Sequence, residues 1–273
     1  MTSRSVPGAL GTTATILAAL ASVAGLLIPG LYRDAPNWVQ QARGTDLATL
    51  FVAVPLVAAG FWTTRRGSST GVLAVVAGLF YLVYNYAIFA FSVVMNPLTA
   101  IHIAIFGLAL WSLVLGAHDR RVVAAAEAVR DRLYRRLSGG LLIAVAALFG
   151  LLWIGQIVTT TLTGTLAPDL VLAGLSTNPV YALDLGFFLP LAALAGLGLI
   201  RGSRASVFAL PMLIWVPVMS AGVLGGFVFI AAAGDEIPVV VVAIVGGLGL
   251  VSAILATAPL VRRPTQARNA APA

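Results

Sequence analysis

Six polar residues within otherwise apolar stretches are the side chains of this sequence best suited to chemistry: Asp46, Tyr84, Asn85, His102, Gln156 and Asp184. Carboxylate, imidazole and phenol groups can bind or pass a proton, and amides can orient a ligand through hydrogen bonds. An ionisable group inside a membrane is costly and needs a partner or water, so a cluster of such groups indicates a functional site. We therefore expect these six residues to form a substrate or proton site.

The composition determines where such a site must lie. Of 273 residues, 60% are hydrophobic and 9% are charged, against roughly 25% charged residues in soluble domains. This imbalance excludes a soluble globular protein, and the richness in Ala, Gly, Val and Leu is typical of a GC-rich bacterium. The absence of cysteine excludes disulfides, thiolate nucleophiles and zinc-thiolate or iron–sulfur sites. All sixteen cations are arginine, which excludes a lysine Schiff base.

Eight apolar stretches are long enough to cross a hydrocarbon core of roughly 30 Å as helices. They are continuously apolar and do not alternate as the strands of a membrane barrel do. The sequence therefore predicts an all-α polytopic membrane helix bundle with eight transmembrane helices: 8–31, 45–63, 71–94, 98–117, 139–161, 181–200, 206–233 and 238–260.

The arginines predict the orientation of these spans. Fourteen of the sixteen fall on one side, and Arg33 and Arg43 fall on the other. The positive-inside rule then places both termini in the cytoplasm of a bacterial cytoplasmic membrane. Residues 118–138 are predicted to form one basic amphipathic helix that lies on anionic lipid headgroups, with His118 in solvent, or that binds a partner. Because this topology explains the net charge of +7, the charge does not indicate nucleic acid as a partner.

The two halves share an ordered pattern. Pro55 lies eleven residues before an Arg-Gly-Ser sequence that starts at Arg66, and Pro190 lies eleven residues before one that starts at Arg201. We expect two four-helix repeats, which are parallel because four spans separate them, as in some transporters. The predicted units are the first repeat at 1–117, the connector at 118–138, the second repeat at 139–261 and a disordered cytoplasmic tail at 262–273.

The predicted topology brings the six candidates to the outer half of the membrane. Tyr84 and Asn85 share a stripe on an outward-running span, and His102 lies one turn below the outer end of the next span. Asp46 and Asp184 open inward-running spans at corresponding outer positions. Together with Gln156, which is in the outer half of span five, they predict an outward-facing polar pocket between the repeats.

Several candidates also have a structural interpretation. Asp46 could merely complement the positive end of a helix dipole. Asn178 and Pro179 are typical of an N-cap and a first helical residue, which would put Asp184 more than one turn inside its helix, as a site residue or as a structural acceptor. His102 could be a core residue, and the lack of a second intramembrane histidine argues against a metal site.

Two stretches carry a resemblance to other proteins. They are NPVYALDLGFFLP from Asn178 to Pro190, and YLVYNYAIFAF at residues 81–91 followed by Asn96 and Pro97. Here the chain resembles uncharacterised bacterial polytopic membrane proteins with no assigned function, and the likeness covers most of spans two to six. It implies a membrane location and leaves the chemistry open.

Two function classes follow from these observations. The first is a small-molecule or ion transporter whose outer polar cluster binds the substrate, with Asp184 or His102 carrying protons. The alternative is a non-catalytic scaffold or sensor subunit that binds a membrane partner, or a second copy of the chain, through its cytoplasmic loop. A membrane enzyme ranks last because no HExxH, paired-carboxylate or nucleophile-elbow motif is present. The sequence identifies no cofactor.

Overall fold

A computed structural model of the chain describes residues 5–68, 70–117, 119–127 and 129–261. His118 and the tail at 262–273, for which solvent exposure and disorder are expected, lie outside the described residues. Within the described part every regular element is helical. The helices are α1 Val6–Leu27, α2 Pro36–Arg65, α3 Gly71–Ser92, α4 Thr99–Gly116, α5 Arg120–Glu127, α6 Arg132–Thr163, α7 Pro168–Ala173, α8 Pro179–Arg201, α9 Arg204–Ala232 and α10 Val239–Val261.

Eight of these helices, all except the short α5 and α7, are long and apolar enough to cross a membrane. This confirms the eight predicted spans, although two helices start earlier than expected. α2 begins at Pro36 instead of residue 45, and α6 begins at Arg132 instead of residue 139. Both extensions consist of polar turns, which hydropathy does not detect because it reports the hydrocarbon-spanning part of a helix and not its polar ends.

The connector between the two halves is not one helix, so that prediction is wrong. α5 ends at Glu127, residues 129–131 are not helical, and α6 begins at Arg132. The physical reason is Asp131, whose Oδ1 accepts a hydrogen bond from the backbone N–H of Tyr134 at 2.8 Å and so caps a new helix. α5 itself packs against the short 3₁₀ turn that opens α9.

α3 is the central helix of the bundle. It contacts α2, α4 and α9, and 78% of its most apolar stretch is buried within the protein, compared with 11% for α6. A helix that is apolar all round is expected at such a position. The side chains of Tyr81, Tyr84, Asn85 and Tyr86 on α3 are accordingly buried among other helices.

Packing across the two halves depends on the approach of α2 to α9. A Cβ atom at Gly44 would lie 2.0 Å from the backbone nitrogen of Gly226, so the two backbones are in direct contact. Small residues permit such contact between membrane helices. Within each half the pairings differ, because α1 packs mainly against α4 whereas α6 packs mainly against α8.

α2 and α8 each contain a π-helical segment, at Thr49–Ala53 and at Asp184–Phe188. Each segment ends two residues before a proline, Pro55 or Pro190. A proline inside a helix lacks the N–H that would bond the carbonyl four residues earlier and crowds that carbonyl, so the preceding turn widens. π segments are frequent at functional sites, and the second one begins at a candidate residue.

Candidate functional site

The structure does not gather the six predicted residues into one pocket but divides them between two sides of α3. Tyr84 and Tyr86, two residues apart on α3, mark the two sides. The Tyr84 hydroxyl donates to Asp184 Oδ1 at 2.9 Å on α8. The Tyr86 hydroxyl donates to the Ala18 carbonyl at 3.3 Å and lies 3.5 Å from the Ser22 hydroxyl, both on α1. Two separate polar clusters result.

The first cluster surrounds Asp184. Trp153 on α6 donates its indole N–H to Asp184 Oδ2 at 2.7 Å, while Tyr84 donates to Oδ1. Asp184 is only 7% exposed and opens the π segment of α8. Asn178 caps α8 and Pro179 is its first residue, as predicted, so Asp184 lies more than one turn inside the helix. Its carboxylate is therefore held between three helices.

Aromatic rings form the walls of this first cluster. The ring of Phe188 stacks on Trp215 with centroids 5.2 Å apart and meets the ring of Tyr84 edge-on at 4.9 Å. On the other side, the ring of Tyr181 lies 5.2 Å from the indole of Trp153. The indole N–H of Trp215 is buried and has no hydrogen-bond acceptor within the described residues. The cluster thus combines one carboxylate with several π faces.

Gln156 connects this cluster to an open cleft. Its Oε1 accepts a hydrogen bond from the Tyr181 hydroxyl, and Gln156 also lines a cleft of about 400 Å³. The cleft lies between the C-terminal half of α6 and the residues that follow it. Its other walls are leucines and threonines, among them Leu151, Leu152, Thr159, Thr160, Thr165 and Leu166. Tyr181 therefore lies between the cleft and the Trp153–Asp184 pair.

The second cluster surrounds Asp46, which is 1% exposed. The capping interpretation of Asp46 is wrong, because α2 begins at Pro36 and Asp46 lies ten residues further on. The Tyr32 hydroxyl donates to Asp46 Oδ2 at 2.6 Å. Tyr32 lies in the loop between α1 and α2, where burial and then the Asp46 charge raise its pKa well above the usual value. Tyr32 therefore remains a protonated donor to the carboxylate.

Close packing holds this second cluster in place. A Cβ atom at Gly25 would lie 2.0 Å from Asp46 Oδ2, so only glycine lets α1 approach the carboxylate. Arg43, one turn before Asp46, donates to the Leu26 carbonyl at 3.2 Å and places its guanidinium over the ring of Phe229. Asp46 thus has a cation one turn away on its own helix, whereas no cation lies within one turn of Asp184 on α8.

His102 and Asn85 are not part of the Asp184 cluster. The buried ring of His102 packs 4.8 Å from Phe89 and 5.7 Å from Tyr86, and within the described residues neither ring nitrogen has a hydrogen-bond partner. The amide of Asn85 donates to the Tyr81 carbonyl at 3.1 Å and to the Met219 sulfur at 3.4 Å. In the same described part of the chain, no group of three or more His, Asp or Glu side chains could hold a metal ion.

Sequence reasoning proposed Tyr84 but missed the other aromatic residues around the two carboxylates, among them Trp153, Tyr181 and Tyr32. Helical spacing could have found two of them, because Trp153 lies three residues before Gln156 and Tyr181 lies three residues before Asp184. No comparable signal marks Tyr32, which belongs to a loop and reaches Asp46 only through the fold.

The fold and the site define an all-helical protein with eight membrane-spanning candidates and a buried carboxylate held between three of them. No protein-family model, curated protein or solved structure matches the chain.

Proposed function

We propose that the chain is a multi-pass membrane transporter of a small molecule or ion, and that Asp184 binds the transported cation or a coupling proton. One observation supports this most strongly. Asp184 is buried inside a spanning helix, receives hydrogen bonds on both oxygens, and has no arginine or histidine within ion-pair distance in the part of the chain that the structure describes. A carboxylate in this setting lacks a counter-charge that a ligand can supply.

Both hydrogen bonds to this carboxylate are of the kind that its ionised form accepts. An ionised carboxylate only accepts, and here a phenol and an indole N–H both donate to it. Neutral donors do not cancel its charge, and an uncompensated charge away from water costs several kcal/mol. A bound cation or proton removes this cost, and release of the ligand restores it. Such a cycle is what a transport site requires.

The proposal includes the predicted topology: two parallel four-helix repeats, with both termini cytoplasmic, in a bacterial cytoplasmic membrane. Support for the repeat comes from the π segments, which lie at the same distance from Pro55 and from Pro190. In this arrangement the arginine-rich ends of the helices face the cytoplasm, and the cleft beside Gln156 faces outward.

An uptake experiment in proteoliposomes tests the proposal. Purified protein is reconstituted and offered a panel of labelled solutes of three classes: cationic, neutral and anionic. We expect uptake of at least one solute above that of empty liposomes, and a loss of at least tenfold in Asp184→Asn. Asp235→Asn is the control, since it removes an exposed carboxylate from a loop. Equal uptake by wild type and Asp184→Asn, or no uptake of any solute, would refute the proposal.

The second candidate function is a scaffold or sensor subunit. It is favoured by the exposed apolar side chains Val123, Leu133 and Leu137, which lie among the connector arginines. Replacing these three residues by serine tests it. A membrane protein that co-purifies with the wild-type chain and is lost in the triple variant supports the scaffold function, whereas unchanged partners argue against it.

A further inference from the structure

The surroundings of Asp184 indicate what kind of cation it can bind. A small metal ion needs several oxygen ligands, but the groups that reach the Asp184 carboxylate are one phenol and one indole N–H. Both of these partners lie among aromatic rings, because Phe188 and Trp215 contact the ring of Tyr84 and Tyr181 contacts the indole of Trp153. A carboxylate among aromatic faces is suited to an organic cation, because π faces attract ammonium-type groups.

The cleft beside Gln156 indicates the rest of the ligand. Its volume of about 400 Å³ suits an organic molecule. The cleft is lined by leucines together with amide and hydroxyl groups, and none of the described residues that line it is charged. Two residues of its lining, Leu151 and Leu152, are exposed apolar side chains of the spanning helix α6. A ligand that enters here must be compatible with lipid.

Tyr181 lies between this cleft and the residues around the carboxylate. Its hydroxyl donates a hydrogen bond to Gln156 at the cleft, and its ring lies against the indole of Trp153. A movement of Tyr181 away from Gln156 would uncover Trp153, which bonds Asp184. Both contacts are non-covalent and lie at the partly exposed edge of the cluster, so a ligand can replace them.

We propose that this site binds an amphipathic organic cation, which enters through the cleft between α6 and residues 164–168 and places its charge against Asp184. The inference rests on the proposed transport function and names its substrate class. The cation supplies the counter-charge that the described residues do not, and its apolar groups occupy the leucine-lined cleft.

Equilibrium binding to the full-length protein in lipid nanodiscs tests the inference. The probe is tetraphenylphosphonium, and tetraphenylborate is its match in size with the opposite charge. Binding to empty nanodiscs is subtracted. We expect saturable binding of the phosphonium, at least tenfold weaker binding to Asp184→Asn, unchanged binding to Asp235→Asn, and no saturable binding of the borate.

A second pair of variants keeps the test valid if Asp184→Asn folds poorly. Gly155 lines the cleft, and a Cβ atom there meets nothing within 4 Å, so Gly155→Phe fills the cleft without touching Asp184. Gly107 on α4 is equally open but lies away from the cleft. We expect Gly155→Phe to weaken phosphonium binding at least tenfold and Gly107→Phe to leave it unchanged.

The outcomes separate the substrate class from the transport function. Phosphonium binding that is absent, or that is equal in wild type, Asp184→Asn and Gly155→Phe, overturns the substrate class. If uptake of a neutral or anionic solute still depends on Asp184, the proposed transport function stands and only the substrate class is wrong. If the phosphonium binds as expected but no solute is taken up, the cation site stands and the transport function falls.

Discussion

The contact between Gly25 and Asp46 permits a quantitative test of the second cluster. In Gly25→Ala, the new Cβ atom would lie 2.0 Å from Asp46 Oδ2 and 2.5 Å from the Tyr32 hydroxyl. Neither distance is tolerable, so the carboxylate and the phenol must move and their 2.6 Å hydrogen bond is lost. A buried hydrogen bond to a charged group contributes about 1.5–3 kcal/mol. The helix preference of alanine over glycine returns up to ~1 kcal/mol.

The expected net loss in the free energy of unfolding is therefore about 0.5–2 kcal/mol, before any cost of displacing α1 from α2. For a chain of this size, 1 kcal/mol corresponds to roughly 2–4 °C in melting temperature. We expect Gly25→Ala to melt about 1–8 °C below the wild type. Tryptophan fluorescence or size-exclusion after heating, both in detergent, measures the shift.

Gly155→Ala is the matched control, because it makes the same substitution in a spanning helix where a Cβ atom meets open space. It keeps the helix preference of alanine and lacks the clash, so its melting temperature should equal or exceed that of the wild type. Equal melting temperatures for Gly25→Ala and Gly155→Ala would refute the packing of the Asp46 carboxylate against α1.

Two further predictions concern the ends of the helices. Asp34, in the loop before α2, accepts a hydrogen bond from the Val94 N–H, but burial outweighs this bond and raises the pKa of its carboxyl group. Because the pKa of Asp34 is higher in the folded than in the unfolded state, the folded protein loses stability as the pH rises above the unfolded-state pKa of about 4. Asp34→Asn keeps the hydrogen-bond acceptor for Val94 but carries no carboxyl group that ionises. Thermal melts should therefore show the variant to be more stable than the wild type at pH 7 and equally stable below pH ~4. A difference in melting temperature that does not depend on pH would contradict this. Arg135 donates to the carbonyls of Leu199 at 2.6 Å and Ile200 at 3.3 Å, at the end of α8. Arg135→Ala should lower the free energy of unfolding by about 1.5–3 kcal/mol and the melting temperature by several degrees. Arg135→Lys should restore only part of this stability, because lysine cannot reproduce the forked set of guanidinium donors. Full restoration by lysine would show that charge alone matters.

The spans and one helix start were predictable from the sequence for simple physical reasons. Continuous apolar stretches of about 20 residues have few alternatives to a spanning helix. Asn178 followed by Pro179 specifies a helix start locally, because the cap bond joins residues two apart. Asp46 shows the limit of this reasoning. Its helix starts ten residues earlier among polar residues, which hydropathy treats as a loop.

The composition of the site was only partly predictable. Tyr84 and Tyr86 are two residues apart, so about 200° of helix rotation separates them, and the sequence alone implies that they face different ways. Which helix lies on each side is decided by tertiary packing, for example by the Gly44 contact with Gly226. Asp184 and Tyr84 could be proposed as site residues from the sequence. The sequence could not predict the hydrogen bond between them, nor could it predict that His102 lies apart from both.

The length of α6 has a mechanical consequence. Its 32 residues form one uninterrupted rod of about 48 Å, whose first turns contain Arg135 and whose middle contains Trp153. Near the start of α6, Arg135 donates a hydrogen bond to one of the last carbonyls of α8. Further along α6, Trp153 donates a hydrogen bond to Asp184, which also belongs to α8. These two attachments lie about 27 Å apart along the rod. A tilt of about 3° that pivots at Arg135 would move Trp153 by roughly 1.4 Å over that length, enough to break its bond to Asp184. A small change in the tilt of α6 about its arginine end would thus decide whether the carboxylate keeps this hydrogen bond.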